Sequence, residues 1–191
     1  MLRLLTDSNS MTMRTACSSS LVALHSACEA ISHGHCDAAV VAGSSLIFSL
    51  TNSMCLTQDG LMSPDGACKS FDASADGYAR GEAINAIFIK KKDDAIRNND
   101  PIRAIVRGTA TNFDGRTASM TTPNPITQEQ LMRHTYKMAG IDNVSETGLI
   151  ECHATGTAVG DPLEAEAVAR VFGKEGITMG AVSHPSLPFG G

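Results

Sequence analysis

A layered α/β fold is what this sequence predicts, and three observations predict it. Apolar runs of strand length alternate with stretches whose apolar residues recur every three or four positions. One of the runs, "DAAVVAGS" (37–44), is nearly all apolar, as expected of a buried strand. With 191 residues, 42% hydrophobic and 18% charged, the chain has the length and composition of one globular domain with a sizeable core.

The elements follow in order. "SMTMRTA" (10–16) places Met11 and Met13 on one face and reads as a short strand leading into Cys17. Leu21, Leu24, Cys28 and Ile31 then recur at helical spacing, and Gly34 is a plausible stop. "DAAVVAGS" is the next strand. Residues 51–81 are rich in Gly, Asp, Ser and Asn and read as a long, ordered loop. "AINAIFIK" resumes a strand, "KKDDAIRNN" (91–99) is a short polar helix or turn, and "IRAIVRGTAT" (102–111) is a further strand candidate. In "NFDGR" (112–116), Gly115 marks a turn. Thr127 and Gln130 have capping-box spacing for a helix ending near Gly140. "TGLIECHA" (147–154) is a strand ending at a histidine. Asp161, Pro162 and Glu164 then have the pattern of an N-cap, a first-turn proline and a capping-box partner. That helix carries Leu163, Val168, Val171 and Phe172, and "ITMGAVS" (177–183) is a last strand.

Composition narrows the function. The formal net charge is −5, Trp is absent, and no basic run interleaves with aromatics, so nucleic-acid binding is not expected. No apolar run approaches the ~20 residues of a membrane span, and the N-terminus turns polar too soon for a secretory signal. Six cysteines without a CxxC pair or a His/Cys ligand cluster read as reduced thiols of a cytoplasmic chain, with no metal site.

Two positions carry chemistry. Cys17 sits where a strand turns into a helix, in "TACSSSLVALHSA". A sharp turn there exposes the side chain, and the helix N-terminus offers unpaired N–H groups and partial positive charge that favour a thiolate. The alternative is a small buried thiol of no chemical role. His153, in "ECHATGTAVGDP", follows an apolar strand and precedes a small-residue turn, a good mount for a side chain that must reach a ligand. Its alternative is a histidine hydrogen-bonded at a strand end. His25, His33, His35 and His134 read as polar helix or turn residues, and Arg80 and Glu82 as a charged pair in a loop or at an interface.

The motifs "TACSSSLVALHSA", "GLMSPDGACKSFDASADGYARGEA", "DPIRAIVRGTATNFDGR", "QEQL" and "ECHATGTAVGDPLEAEA" occur in the order and approximate spacing of the β-ketoacyl synthase (ketosynthase) domain of polyketide synthases, which this chain resembles over roughly residues 9–182. The flavour resembles fungal iterative enzymes. The resemblance implies a thiolase-like αβαβα fold, here incomplete. Residues 1–98 correspond to the late part of the N-half and 99–191 to the early part of the C-half. It implies decarboxylative Claisen condensation, with Cys17 as the acyl nucleophile and His153 stabilising the thioester enolate. It implies an acyl carrier protein as partner, acyl and malonyl thioesters as substrates, phosphopantetheine delivered on the carrier rather than bound as a cofactor, and a homodimer when complete.

The sequence also departs from the family pattern. The second catalytic histidine of a Lys-x-Asn-Ile-Gly-His stretch is expected soon after "MGAV" (179–182), but Ser183 stands at the lysine, His184 comes too early, and Pro188 occupies the histidine position. Arg14 replaces an acidic residue and Ala83 a glycine. These departures and both chain ends suit a truncated or mis-spliced product. The rival readings are a catalytically incompetent remnant or dimerising interaction protein and an unrelated Cys–His hydrolase.

Overall fold

The structure is a computed structural model. It describes residues 2–4, 10–119, 121–173 and 176–181. The departures at Ser183, His184 and Pro188 lie outside them. The chain forms two compact units, one of residues 1–47 with 81–111 and the other of 48–80 with 112–191.

In the first unit, β1 (Leu2–Leu4), β2 (Ser10–Met11), β3 (Ala38–Ser45) and β4 (Ala83–Lys90) form one sheet in the order β2-β1-β3-β4, with every pairing antiparallel. The predicted strand 10–16 is therefore shorter than expected. Helix α1 (Ser19–Ser32) packs on this sheet. Its buried stripe is Ala23, Ala27 and Ile31, with Leu24 partly buried, whereas Leu21 is exposed. The face is rotated from the expected one because small alanines let the helix approach Ala39 and Val41 of β3 closely. The polar helix α3 (Lys92–Arg97) carries Asp93 and Asp94 in its first turn and Arg97 in its last, matching the helix dipole. Lys90 at the end of β4 pairs with Asp100 at 2.6 Å.

Residues 102–111 are not a strand. Among the described residues no strand pairs with them, and an extended segment without a ladder partner is not a sheet strand. Arg80 and Glu82 do not pair with each other either. Arg80 donates to Ser53 Oγ at 3.0 Å, and Glu82 accepts from the Ile47 N–H at 2.5 Å.

In the second unit, the expected long loop 51–81 opens with a helix, α2 (Thr51–Gln58). None of its residues is buried, and its Thr, Asn and Ser positions carry no apolar period, so the sequence pattern gave no helical signal. Helix α4 (Pro125–Met138) starts two residues before the expected cap. Asn124 is the N-cap, accepting from Ile126 N–H at 3.0 Å, and Pro125 takes the first helical position. Thr127 instead donates to Asp114 at 2.8 Å. Strands β5 (Leu149–Cys152) and β6 (Thr178–Ala181) pair in parallel and are connected through α5 (Gly160–Phe172), giving a βαβ unit. Its core gathers Cys152, Ala154, Val168, Val171 and Phe172, with Tyr136 of α4 edge-on to Phe172 at 5.4 Å.

Candidate active site

Cys17 and His153 lie in different units, and each is held by its own turn. At Cys17 the chain leaves an isolated bridge between Thr15 and Cys17 and enters α1 two residues later. Ala16 makes the reversal with φ 56°, a left-handed conformation that costs a non-glycine residue about 1–2 kcal/mol. The three serines have work to do here. Ser18 Oγ donates to Thr15 O at 2.8 Å, Ser19 Oγ donates to Ala16 O at 2.7 Å, and the Thr15 N–H donates to Ser19 Oγ at 2.9 Å. Ser18 occupies the N-cap, but its hydroxyl does not cap the helix. The serines hold the turn instead. Cys17 is consequently exposed at the opening of a 14-residue helix, next to the N–H groups its first turn leaves without helical partners.

His153 follows β5 directly and is exposed, while Cys152 and Ala154 on either side are buried. Ala154 takes φ 40°, a second left-handed non-glycine residue beside a candidate site residue. This turn is tied down from a distance. Both oxygens of Glu164 are used, Oε1 accepting from the His153 N–H at 2.7 Å and Oε2 from the Ala154 N–H at 2.8 Å. Ser70 Oγ donates to Ala154 O at 2.5 Å. Asp161, only 3% exposed, accepts from three backbone N–H groups, those of Gly156 (3.0 Å), Thr157 (3.3 Å) and Phe71 (2.8 Å).

Asp161 and Glu164 thus play a different part from the expected one. The helix starts at Gly160 with Val159 as N-cap, Thr157 Oγ1 accepts the Gly160 N–H, and the two carboxylates brace the turn that precedes the helix. Sequence reasoning missed this bracing role. The signal was present as two acidic residues eight and eleven positions after His153, but the same spacing also spells a capping box.

The turn is packed backbone to backbone. Gly77 donates its N–H to Gly156 O at 2.9 Å. A Cβ on Gly156 (φ 78°) would lie 2.8 Å from Lys69 N, and one on Gly77 (φ 130°) would lie 2.6 Å from Met62 C. Lys69 in turn bridges Asp65 at 2.6 Å and Asp76 at 2.5 Å, closing the 61–80 loop on itself. A shallow groove of about 480 Å³ runs along Phe71, Asp72, Thr157 and Pro162 beside this turn.

Cys36 and Cys152 are buried, whereas Cys17 and Cys55 are exposed. Burial, reinforced by Glu164 and Asp161, pushes Cys152 up to about 11, so it stays protonated beside His153. Burial likewise raises Cys28 and Cys36. Among the described residues no three His, Cys, Asp or Glu side chains gather as a metal site.

An exposed cysteine on a strained turn that opens a helix is the kind of position a thiol nucleophile takes in covalent catalysis. The chain matches the family profiles for the N-terminal domain of β-ketoacyl synthase over residues 5–95 and for its C-terminal domain over residues 103–184, and it belongs to the β-ketoacyl synthase family. Within that family it is similar to fungal highly reducing polyketide synthases. It is 53% identical over 173 residues to pspA of Penicillium soppii, covering 91% of this chain, and 57% identical over 164 residues to VdtX of Byssochlamys spectabilis, covering 86%. The chain spans 7% and 8% of the length of these two relatives. Among solved structures it is similar to the ketosynthase from module 6 of the bacillaene synthase of Bacillus subtilis 168 (TM-score 0.85, 38% identity, 89% of this chain and 32% of that one). It also resembles an oxazolomycin ketosynthase domain of Streptomyces albus JA3453 (TM-score 0.86, 36% identity, 92% and 32%). The expected thiolase-like ketosynthase fold, as a partial domain, and the expected fungal polyketide lineage both hold.

Proposed function

We propose that this chain carries the condensing chemistry of a polyketide-synthase ketosynthase, with Cys17 as the acyl nucleophile and His153 as the enolate stabiliser. The observation that carries the proposal is the Cys17 turn, where left-handed Ala16 and two serine hydroxyls present an exposed thiol at the first turn of α1. The Cys17 thiolate attacks the carbonyl of an acyl thioester on the phosphopantetheine arm of a carrier protein. The carrier thiol leaves and an acyl-Cys17 thioester forms. Helix-start N–H groups are suited to the transient oxyanion. A malonyl-carrier thioester then loses CO₂, and the electron pair of the broken C–C bond becomes an enolate. His153 donates a hydrogen bond to its thioester oxygen. The enolate carbon attacks the acyl carbonyl, the C–S bond to Cys17 breaks, and a β-ketoacyl thioester leaves on the carrier.

On this reading residues 1–98 supply the nucleophile part and 99–191 the first-histidine part of a dimeric, cytoplasmic ketosynthase. No helix among the described residues is long and apolar enough to cross a membrane. A second reading, a chain that accepts an acyl group but does not condense, is favoured by Pro188 standing where the resemblance puts the second histidine.

Labelling with a cerulenin-type epoxide followed by peptide mapping tests the nucleophile. The expected adduct is on Cys17, while exposed Cys55 serves as the control for mere accessibility. No adduct, or equal labelling of both thiols, sinks the assignment. Incubation with acyl- and malonyl-carrier protein then separates the two readings by whether a β-ketoacyl product forms.

A further inference from the structure

The C-terminal end of α1 carries a pair of imidazoles that the reading of Cys17 and His153 does not use. His33 caps the helix, and Gly34 reverses the chain with φ 73°, a left-handed conformation that favours glycine. The reversal is tied back to the helix, the Gly34 N–H donating to Ile31 O at 3.2 Å and the His35 N–H to Ala30 O at 2.8 Å. It brings together two side chains that an extended segment or a continuing helix would hold apart. The ring centroids of His33 and His35 are 5.9 Å apart, with their planes 25° from parallel. Both side chains are exposed to solvent.

Two features prepare this pair for a cation. The first is orientation. His33 Nδ1–H donates to the Glu29 carbonyl oxygen at 2.8 Å, and Glu29 Oε2 stands 3.7 Å from the same nitrogen. The neutral ring therefore carries its proton on Nδ1 and keeps a lone pair on Nε2, and a bond of this kind from the other ring nitrogen is what orients a metal-holding histidine. The second is charge. The C-terminal end of a helix is its negative end, and the last turn of α1 has no basic residue to offset it. We propose that His33 and His35 chelate one divalent transition-metal ion through their ring nitrogens, with water completing its coordination. Metal–nitrogen bonds of about 2.0–2.1 Å hold two imidazole centroids about 4.5–6.5 Å apart on a shared ion. The observed separation of 5.9 Å lies in that range, so closing the chelate takes ring rotation and no backbone movement. Among the described residues no third His, Cys, Asp or Glu joins the pair as a ligand, and the adjoining Cys36 is buried. Two imidazoles and water, without a thiolate, suit Ni²⁺ and Cu²⁺ better than Zn²⁺, whose structural sites are closed by four protein ligands. The bound ion would link the end of α1 to the segment that leads into β3.

Isothermal titration of the untagged 191-residue chain with Ni²⁺ alone tests the pair, Ni²⁺ being a metal that does not oxidise the exposed thiols. One saturable site in the micromolar range is expected, and the ring-proton NMR signals of His33 and His35 should broaden before those of the other histidines. His33→Ala and His35→Ala should each weaken binding at least tenfold, because one imidazole alone has no chelate. His134→Gln, on the exposed face of α4, should leave binding unchanged. The replaced side chains are exposed, and circular dichroism checks that each variant keeps the parent fold. The proposal is overturned by absence of saturable binding, by a loss of less than tenfold in either alanine variant, or by an equal loss in His134→Gln.

Discussion

The turn at Cys17 and the turn at His153 solve the same problem by opposite means. Each presents an exposed side chain ahead of a helix, and each uses a left-handed alanine to do so, Ala16 in one and Ala154 in the other. The Cys17 turn is held by bonds between residues three or four apart, from Ser18 to Thr15 and from Ser19 to Ala16. The His153 turn is held by partners 10 and 11 residues away on Glu164 and 84 away on Ser70, and Asp161 reaches 90 residues back to Phe71. A local brace makes a turn that survives small changes elsewhere. A long-range brace makes a turn that is only as firm as the packing of its whole unit.

Four outcomes would sharpen or break that contrast. The largest effect is expected at Gly156→Ala, where a left-handed backbone and a Cβ 2.8 Å from Lys69 N combine. It should cost about 3 kcal/mol or more, from backbone strain plus overpacking, and urea unfolding should show the second unit melting early. Unchanged stability would mean that the backbone contact gives way freely. Next comes Asp161→Ala, which strips three backbone N–H groups of their acceptor. A loss of about 3 kcal/mol is expected for orphaned buried donors, and amide exchange should accelerate at Gly156, Thr157 and Phe71 together. Acceleration at Gly156 alone would show that the loop around Phe71 is held by something else.

Ser19→Ala should cost about 1 kcal/mol, since it removes two short-range bonds at an exposed turn. Thermal melts would show a small shift, while epoxide labelling of Cys17 should fall several-fold as the turn loosens. A drop as large as that of Gly156→Ala would erase the local-versus-distant distinction. The smallest effect concerns pH. The folded chain holds the Cys152 proton up to about 11 against an ordinary thiol value of 9.0. This stabilisation is complete below about 9 and is lost as pH rises through 11. Denaturation midpoints followed from pH 8 to 11 should fall for the parent and less for Cys152→Ala. A parent curve that is flat over this range would contradict the burial of this thiol.

The site was half legible in the sequence, and the two turns show why. "TACSSS" announces its own geometry, because an N-terminal helix signal and hydroxyl-rich residues all act within one turn. In "ECHATGTAVGDPLEAE" the histidine, the turn and the helix were readable, but the purpose of Asp161 and Glu164 was not. Their spacing from the helix start fits a cap as well as a brace, and only the position of β5 chooses between them. Ser70 and Phe71 carried no signal at all, since nothing local in "KSFDAS" says which strand end it will touch. The same limit produced the errors in the elements. Ile102 to Val106 read as a strand because strand composition is local, whereas a ladder needs a partner. Leu21 read as core because helical periodicity gives a stripe, and the buried stripe was decided by which residues let α1 approach β3.

The sequence by itself determined the family, the helices with apolar periods, the strands β3 to β5 and the places of Cys17 and His153 at element ends. Each of these depends on residues close together in the chain or on long motifs kept in order. Tertiary structure alone decided that two acidic residues of α5 hold the His153 turn, that Cys152 is held protonated while Cys17 is exposed, and that β4 presents an apolar face. Those outcomes depend on burial and on contacts between residues tens of positions apart, and free energies of that kind arise only when the chain has packed.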